Sequence, residues 1–555
     1  MREPVPEAWE KLGGRGLIAR ILLDEVDPTC EPLGPKNKLV FAPGLLVGHM
    51  LSACDRLSVG SKSPLSGGFR ESNSGGSTGF HMTAMGIRAL ILEDWPADDK
   101  FWILHLSMSG ARWERADEWV GRGVHEVAPV LLERYGKKVA ISLIGPGGEH
   151  KLGSAGIQNL DKERVPARIN ARGGMGAVMG SKGLKAIVFD DAEGQKPPIQ
   201  DLAAFRAAQK ALNQALSVHP QIHTYRDYGT AANVLMCDAL GALPTRNFSV
   251  GSYEKAEAVS GERAREVMLT RGGASNPSHG CMAGCTIRCS NVFGGDDGKA
   301  IVSPLEYETI GLLGPNLDIA DLDVIGRLNS EINDIGLDTI EVGAALGVAC
   351  EAGLMTWGDA DRAMELLGEI RRNTPLGRIL GMGSVLTGKV LGIERVPATK
   401  GIAMSAYDPR AIKGTGVTFA TSTQGGDHTA GLTLRVKIDH RDPKGQVAAS
   451  RAMQINCAGY DSLGACLMSG PGFATAPGAL RDLLNSRYGW NMGDDVLQVL
   501  GKQTLMLERE FNRRAGFTSA HDRLPEWMTR EALPPFNTVF DVPPEEMDEI
   551  FKDLD

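Results

Sequence analysis

Three cysteines, Cys281, Cys285 and Cys289, stand within nine residues of the segment NPSHGCMAGCTIRCSN, spaced C-x3-C-x3-C. Thiolates this close suit a soft metal ion or an iron–sulfur cluster. A cubane takes four thiolates, so a fourth ligand has to come from elsewhere in the chain. Zinc is the rival reading, although structural zinc sites favour paired short spacings and there is no matching second pair. Three buried cysteines with no ligand role are the third. A disulfide framework fits poorly, because the nine cysteines are an odd number in a chain of 555 residues.

A second signature is glycine. The loop RGGMGAVMGSK runs from Arg172 to Lys182 and leads into LKAIVF. Glycines let backbone N–H groups approach an anion, and Arg and Lys add charge. The loop ends G-S-K rather than G-K-[ST], so it is not a Walker A loop. Taken alone it reads equally well as a turn. The segments SKSPLSGGFRESNSGG (61–76) and IGPGGEH (144–150) share its character. Three such loops together predict a large, polyphosphate-like ligand.

These loops need a scaffold. At roughly 150 residues per domain the length suggests three or four domains. The chain has 59 Lys plus Arg against 68 Asp plus Glu, a net charge of −9, which argues against nucleic-acid binding. Hydrophobic content of 42% and charged content of 23% exclude wholesale disorder. The 69 glycines exceed the usual share of about 7% and predict many turns and close backbone approaches. No apolar run reaches the roughly 18 residues of a membrane span, and MREPVPEAWEKL lacks a signal-peptide core, so a cytoplasmic location is expected.

Short apolar runs at 38–43, 88–93, 101–106, 138–145 and 184–189 predict strands. One helix is expected near 113–135. After the Pro-Pro segment at 197–198 the pattern turns helical, over 201–216, 321–335, 338–352, 360–372, 446–459 and 494–512. The expected class is α+β: a β-rich base over 1–197, a helical domain over 198–404 and a second over 405–555. The acidic tail PPEEMDEIFKDLD is expected at the surface. NDIGLDT (333–339) and DSLGACL (461–467) echo one another, which alone reads as two helix C-terminal glycines.

The chain resembles the aldehyde ferredoxin oxidoreductases, tungsten or molybdenum bis-pyranopterin enzymes. KSPLSG with SNSGG, GPGGE, RGGMGAVMGSKGLKAI, the cysteine cluster, LEYETIGLLGPN, NDIGLDT, YDPR, GGDH and DSLGAC carry the resemblance, in family order from about residue 13 to 525. It implies a 4Fe–4S cluster held by Cys281, Cys285, Cys289 and Cys466. It implies two pterins and a magnesium ion joining their phosphates. Arg56 and Asn73 match the loop between pterin and cluster. Arg168, Arg172, Gly173 and Gly174 match the phosphate loop. Asn333, Asp338 and Asp461 match the paired pterin motifs. Glu308 matches the active-site glutamate and His428 the active-site histidine. Aldehyde oxidation needs an oxygen nucleophile at the carbonyl carbon, a carboxylate to take a proton and a donor to the developing oxyanion, and these two residue types suit the last two tasks.

The resemblance further implies electron transfer to ferredoxin or an iron–sulfur partner subunit, a small carbonyl substrate, and a homodimer or hetero-oligomer. Departures from the family pattern are the C-x3-C-x3-C spacing, Asn333 in place of Asp, Ala465 in place of Leu, and R-L-N-S at 327–330 where some members bind an intersubunit metal. A start close to GGRGL and a short tail predict a sheet edge open to a partner. Two rival readings stay open: a tungsten subunit like that of class II benzoyl-CoA reductases, reducing an aryl-CoA, and a non-catalytic electron-transfer subunit that lost the metal.

Overall fold

The structure, a computed structural model, describes residues 3–554. Helix accounts for 44% and strand for 13%, with strands concentrated in the N-terminal region and helices following, an α+β fold.

All five expected strands form, at Leu39–Pro43, Leu90–Leu92, Trp102–Ser107, Ala140–Leu143 and Leu184–Asp190. They belong to two sheets. The four-stranded antiparallel sheet runs Phe69–Ser74, Leu57–Lys62, Leu39–Pro43, Leu90–Leu92. The six-stranded sheet runs Gly110–Arg115, Trp102–Ser107, Leu184–Asp190, Ala140–Leu143, Ile157–Leu160, Pro166–Asn170. Only its pairing of Leu184–Asp190 with Trp102–Ser107 is parallel.

The hairpins Leu57–Lys62/Phe69–Ser74 and Ile157–Leu160/Pro166–Asn170 were not expected. Ser58, Ser61, Arg70, Glu71, Ser72, Ser74, Asn159 and Asn170 are buried in them, so the apolar/polar alternation that signals a strand is missing. Side-chain bonds replace it: Asn159 Nδ2 donates to Asn170 Oδ1 at 2.8 Å. The expected helix near 113–135 begins only at Val124–Tyr135. Trp113 lies in the strand Gly110–Arg115, and Gly121, at φ 81°, breaks the chain before the helix starts.

The expected helices form at Leu202–Val218, Leu322–Ile335, Thr339–Glu351, Ala360–Arg371, Gln446–Leu463 and Val496–Arg514. Asp201, Asp321, Asp338 and Asp359 cap four of them through side-chain acceptance of backbone N–H groups. The acidic tail lies at the surface as expected, with Glu545, Glu546, Asp548 and Glu549 exposed, but its apolar residues turn inward. Met547, Ile550 and Phe551 form one helical-spacing stripe buried against the core. The edge strand Phe69–Ser74 is covered, Phe69 N–H donating to Asn512 Oδ1 at 2.7 Å and Glu71 N–H to Gln424 Oε1 at 3.3 Å, whereas the edge strand Gly110–Arg115 of the six-stranded sheet is exposed. The opposite edge of the four-stranded sheet, Leu90–Leu92, is three residues long.

The echoed motifs end two helices in the same way, with Gly336 at φ 82° and Gly464 at φ 72°. Each then grips the base through an equivalent pair of bonds. Gly156 N–H donates to Gly336 carbonyl at 2.9 Å and Asp338 N–H to Ser154 carbonyl at 2.9 Å. Arg56 N–H donates to Gly464 carbonyl at 3.0 Å and Cys466 N–H to Ala53 carbonyl at 2.7 Å. The base glycines are required by this contact: a Cβ on Gly44 would stand 1.9 Å from Gly464 N, and one on Gly145 2.3 Å from the Ile335 carbonyl oxygen.

Candidate active site and cofactor cradle

A cavity of about 750 Å³ lies where base and helices meet. Arg56, Asn73, Arg168, Arg172, Cys281, Cys289, Glu308, Asp338, His428, Asp461 and Cys466 line it. Cys285 lies outside that wall, on the same loop. Gly173, Gly174 and Asn333 do not line it.

Strands Asn276–His279 and Ser290–Gly294 pair with His279 opposite Ser290, so residues 280–289 form the hairpin loop that carries three thiols. Gly76 N–H donates to the Cys281 carbonyl at 2.9 Å. A Cβ on Gly75 would stand 3.0 Å from Cys281 Sγ, so the base approaches this thiol through glycine alone. Cys466 arrives from the other side, just past Gly464. Among the described residues no three of these sulfurs gather within 4.8 Å of one another. A single tetrahedral ion with Zn–S near 2.3 Å would need them closer, whereas a cubane spreads its ligands over separate irons. Burial, reinforced by the neighbouring thiols, pushes Cys281 up to about 12, raises Cys285, and lifts Cys289 well above the ordinary thiol range. Bare, these thiols keep their protons; a metal group displaces them on loading.

Arg56 joins this loop to the rest of the cavity. Its Nη1 lies 3.8 Å from Cys466 Sγ, its Nη2 donates to the Asn73 carbonyl at 3.1 Å, and its Nε bonds Asn73 Oδ1. Asn73 Nδ2 donates to Asp461 Oδ1 at 2.9 Å. Arg15, fully buried, pairs with Asp461 at 3.2 Å and Glu508 at 2.6 Å.

The two arginines of R-x3-R-G-G diverge. Arg168 Nη1 donates to Ser290 Oγ at 2.9 Å and Nη2 lies 3.0 Å from His279 Nδ1, so it braces the cysteine hairpin. Arg172 turns the other way, to Asp338 Oδ2 at 3.2 Å and Ser405 Oγ at 3.1 Å. Gly173 and Gly174, at φ 82° and 80°, make the turn that follows, and a Cβ on Gly173 would stand 2.2 Å from Arg70 Cγ. Asn333 Nδ2 donates to Asn329 Oδ1 at 3.0 Å, along its own helix and away from the cavity.

Glu308 sits in the first turn of Tyr307–Leu313. Its Oε2 accepts from Ala406 N–H at 2.8 Å. Its Oε1 is buried without a hydrogen-bond partner among the described residues and lies 3.5 Å from His428 Nε2. The imidazole is oriented from behind. Ser405 Oγ accepts from Arg172 Nη1 at 3.1 Å and His428 N–H at 3.2 Å, and stands 2.8 Å from Nδ1. The hydroxyl hydrogen is then available to Nδ1, which puts the ring hydrogen on Nε2, facing Glu308. Burial works against ionisation of Asp427, but Arg70 and Arg172 overcome it and hold the carboxyl well below its usual range.

The cavity fits a bulky metal cofactor. It combines the thiols of Cys281, Cys289 and Cys466 with Cys285 on the same loop, the buried atoms Arg168 Nε and Glu308 Oε1, which have no hydrogen-bond partner among the described residues, and a size typical of cofactor pockets. Nothing in the sequence pattern assigns a role to Arg70, Ser405, Tyr407 or Asp427. The Tyr407 ring lies 5.8 Å from the His428 ring. Each stands in a motif that carried the resemblance or beside one, and only coordinates give it a task.

Family models of the aldehyde ferredoxin oxidoreductase N-terminal domain and of its domains 2 and 3 match residues 1–191 and 207–553. The chain belongs to the aldehyde ferredoxin oxidoreductase family. It is 32% identical to the tungsten-containing aldehyde ferredoxin oxidoreductase of Pyrococcus furiosus over 560 residues, covering 96% of this chain and 89% of that protein. The aliphatic sulfonate oxidoreductase WOR-like subunit of the same organism is 27% identical, with 90% and 81% covered. Among solved structures, the active-site complex BamBC of benzoyl coenzyme A reductase with 1,5-dienoyl-CoA shares the fold, at TM-score 0.79 and 19% identity over all of this chain and 91% of that one. The aldehyde ferredoxin oxidoreductase family is one of oxidoreductases, and this chain is placed among them. Among the described residues no helix is long and apolar enough to cross a membrane.

Proposed function

We propose that this chain is a tungsten (or molybdenum) bis-pyranopterin, 4Fe–4S oxidoreductase that oxidises an aldehyde to a carboxylic acid and passes electrons to ferredoxin or an iron–sulfur partner subunit. The observation that carries the reading is one cavity lined both by Cys281, Cys289 and Cys466 and by the Glu308–His428 pair. In this reading Cys281, Cys285, Cys289 and Cys466 hold the cluster. Arg56, Asn73, Arg172, Asp338 and Asp461 seat the pterins, with magnesium at their phosphates, and Arg168 works chiefly from the cluster side. The base spans 1–197, and the helical domains 198–404 and 405–555.

When bound, the metal–pterin group supplies a two-electron sink and the cluster a one-electron relay. The chain's residues supply the rest. Aldehyde plus water gives carboxylic acid, two protons and two electrons. Glu308, anchored at Oε2 by the Ala406 N–H, takes a proton at Oε1. His428 Nε2–H donates to the carbonyl oxygen as negative charge builds there. Asp427 and Ser405 fix the imidazole.

The test is elemental analysis of the purified protein with an aldehyde panel and a viologen acceptor. Tungsten or molybdenum with aldehyde-dependent dye reduction is expected. Aryl-CoA ring reduction without aldehyde oxidation, or iron and pterin without either heavy metal, would overturn it.

A further inference from the structure

Four arginines line the cavity, and three of them serve its cofactor side. The fourth, Arg435, does not. It comes from the segment after His428 and is both exposed and part of the wall, which places it where the cavity meets solvent. Its Nε donates to Tyr225 Oη at 3.3 Å and its Nη2 to Asn233 Oδ1 at 3.1 Å. The guanidinium carbon lies 5.4 Å from the Tyr225 ring centroid. These partners are neutral. Among the described residues Arg435 forms no ion pair with a carboxylate, and its Nη1 makes no hydrogen bond.

A structural tie would not need the charge. Tyr225 Oη already donates to Asn233 Oδ1 at 3.2 Å, which links the helices Pro220–Tyr228 and Asn233–Leu240 without Arg435. The guanidinium is held in a fixed plane by neutral acceptors, with one edge left free. That is an arrangement suited to a planar two-oxygen anion.

Much of the cavity wall is apolar: Leu432, Val436, Met453, Leu467, Met468 and Pro471 line it. The reactive end is close through a short relay. Asn233 Nδ2 lies 3.5 Å from Tyr407 Oη, and the Tyr407 ring packs against His428. A ligand spanning the cavity therefore meets polar chemistry at Glu308 and His428, an apolar wall, and a cation at the mouth.

We infer that Arg435 is a carboxylate-binding subsite that makes this enzyme selective for aldehydes carrying a carboxylate at their far end. The inference rests on the aldehyde reading above and names its substrate class. Bidentate binding adds charge-assisted hydrogen bonds that a neutral aldehyde lacks.

The test uses the holoenzyme. Succinate semialdehyde and butanal are compared as substrates for wild type, Arg435→Gln and Arg435→Lys. Binding of the unreactive dicarboxylate glutarate is measured by calorimetry on the same samples. Arg435→Gln should raise KM for the semialdehyde by about tenfold, the loss expected for a hydrogen bond to a charged group. Its kcat and all butanal constants should stay unchanged. Glutarate binding should weaken by a similar factor, Arg435→Lys should restore part of both, and metal and iron contents should match wild type. Equal glutarate binding by wild type and Arg435→Gln would overturn the subsite. Oxidation of no aldehyde, with Arg435-dependent glutarate binding intact, would instead overturn the aldehyde reading and leave the subsite standing.

Discussion

The Arg56 guanidinium lies 3.8 Å from Cys466 Sγ while its other nitrogens hold Asn73. Four hundred and ten residues separate the two in sequence. The contact sets a fixed positive charge beside one thiolate of the proposed cluster. Adding an electron makes the cluster more negative, and a nearby cation favours that state. Arg56→Gln should therefore keep the iron content and lower the cluster's reduction potential by roughly 60 mV, a tenfold change for a one-electron couple. A redox titration followed by electron paramagnetic resonance reads the shift. An unchanged or raised potential would remove Arg56 from this role.

The base meets the cysteine hairpin with no side chain at Gly75. Gly75→Ala would place a Cβ 3.0 Å from Cys281 Sγ and 3.1 Å from its carbonyl oxygen, so the cysteine loop would have to give by a few tenths of an ångström. Iron per chain should fall in this variant, and Cys466→Ser should lose or degrade the cluster outright. Iron analysis with the visible absorption spectrum checks both. Full iron in Cys466→Ser would dismiss it as the fourth ligand.

What the sequence made legible follows from physics. Strands such as Leu184–Asp190 announce themselves because they are apolar on both faces. Phe69–Ser74 does not, because FRESNS is buried through Arg70, Glu71 and Asn-linked polar bonds rather than through apolar surface. Cys281, Cys285 and Cys289 stood out by spacing. Cys466 did not, since proximity through Gly464 and Ala53 leaves no local pattern. The family resemblance placed Cys466, Glu308 and His428 together. It did not show that Arg168 turns to the hairpin, that Asn333 points away, or that Asp427 is clamped by two arginines.

Glu308 offers one anchored oxygen and one free one, so Glu308→Gln keeps the bond from Ala406 N–H or its equivalent and loses the proton acceptor. Turnover should fall by about 100- to 10,000-fold, the usual weight of general base catalysis. Metal, pterin and iron contents should stay normal. Wild-type rates in this variant would show that the proton leaves by another group.

Beneath the proposed pterin seat, Glu71 is fully buried with its Oε1 unpaired. Burial, then the Asp461 charge, raises its carboxyl from 4.5 to about 8, more than Arg15 and Arg70 offset. The sign follows from proton counts. In the unfolded chain Glu71 gives up its proton near its ordinary value, while the folded chain keeps it until about pH 8. Between these limits the folded state binds the extra proton, so stability falls as pH rises, by at most about 1.4 kcal/mol per pH unit for one group. Glu71→Gln, neutral at every pH, should flatten that slope between pH 5 and 8, roughly the window set by the two values, and raise stability most at its upper end. Denaturant melts of the holoenzyme and the variant across this range measure the difference. Parallel stability curves for the two proteins would show that Glu71 is ionised in the fold and that Arg15 and Arg70 together outweigh its burial.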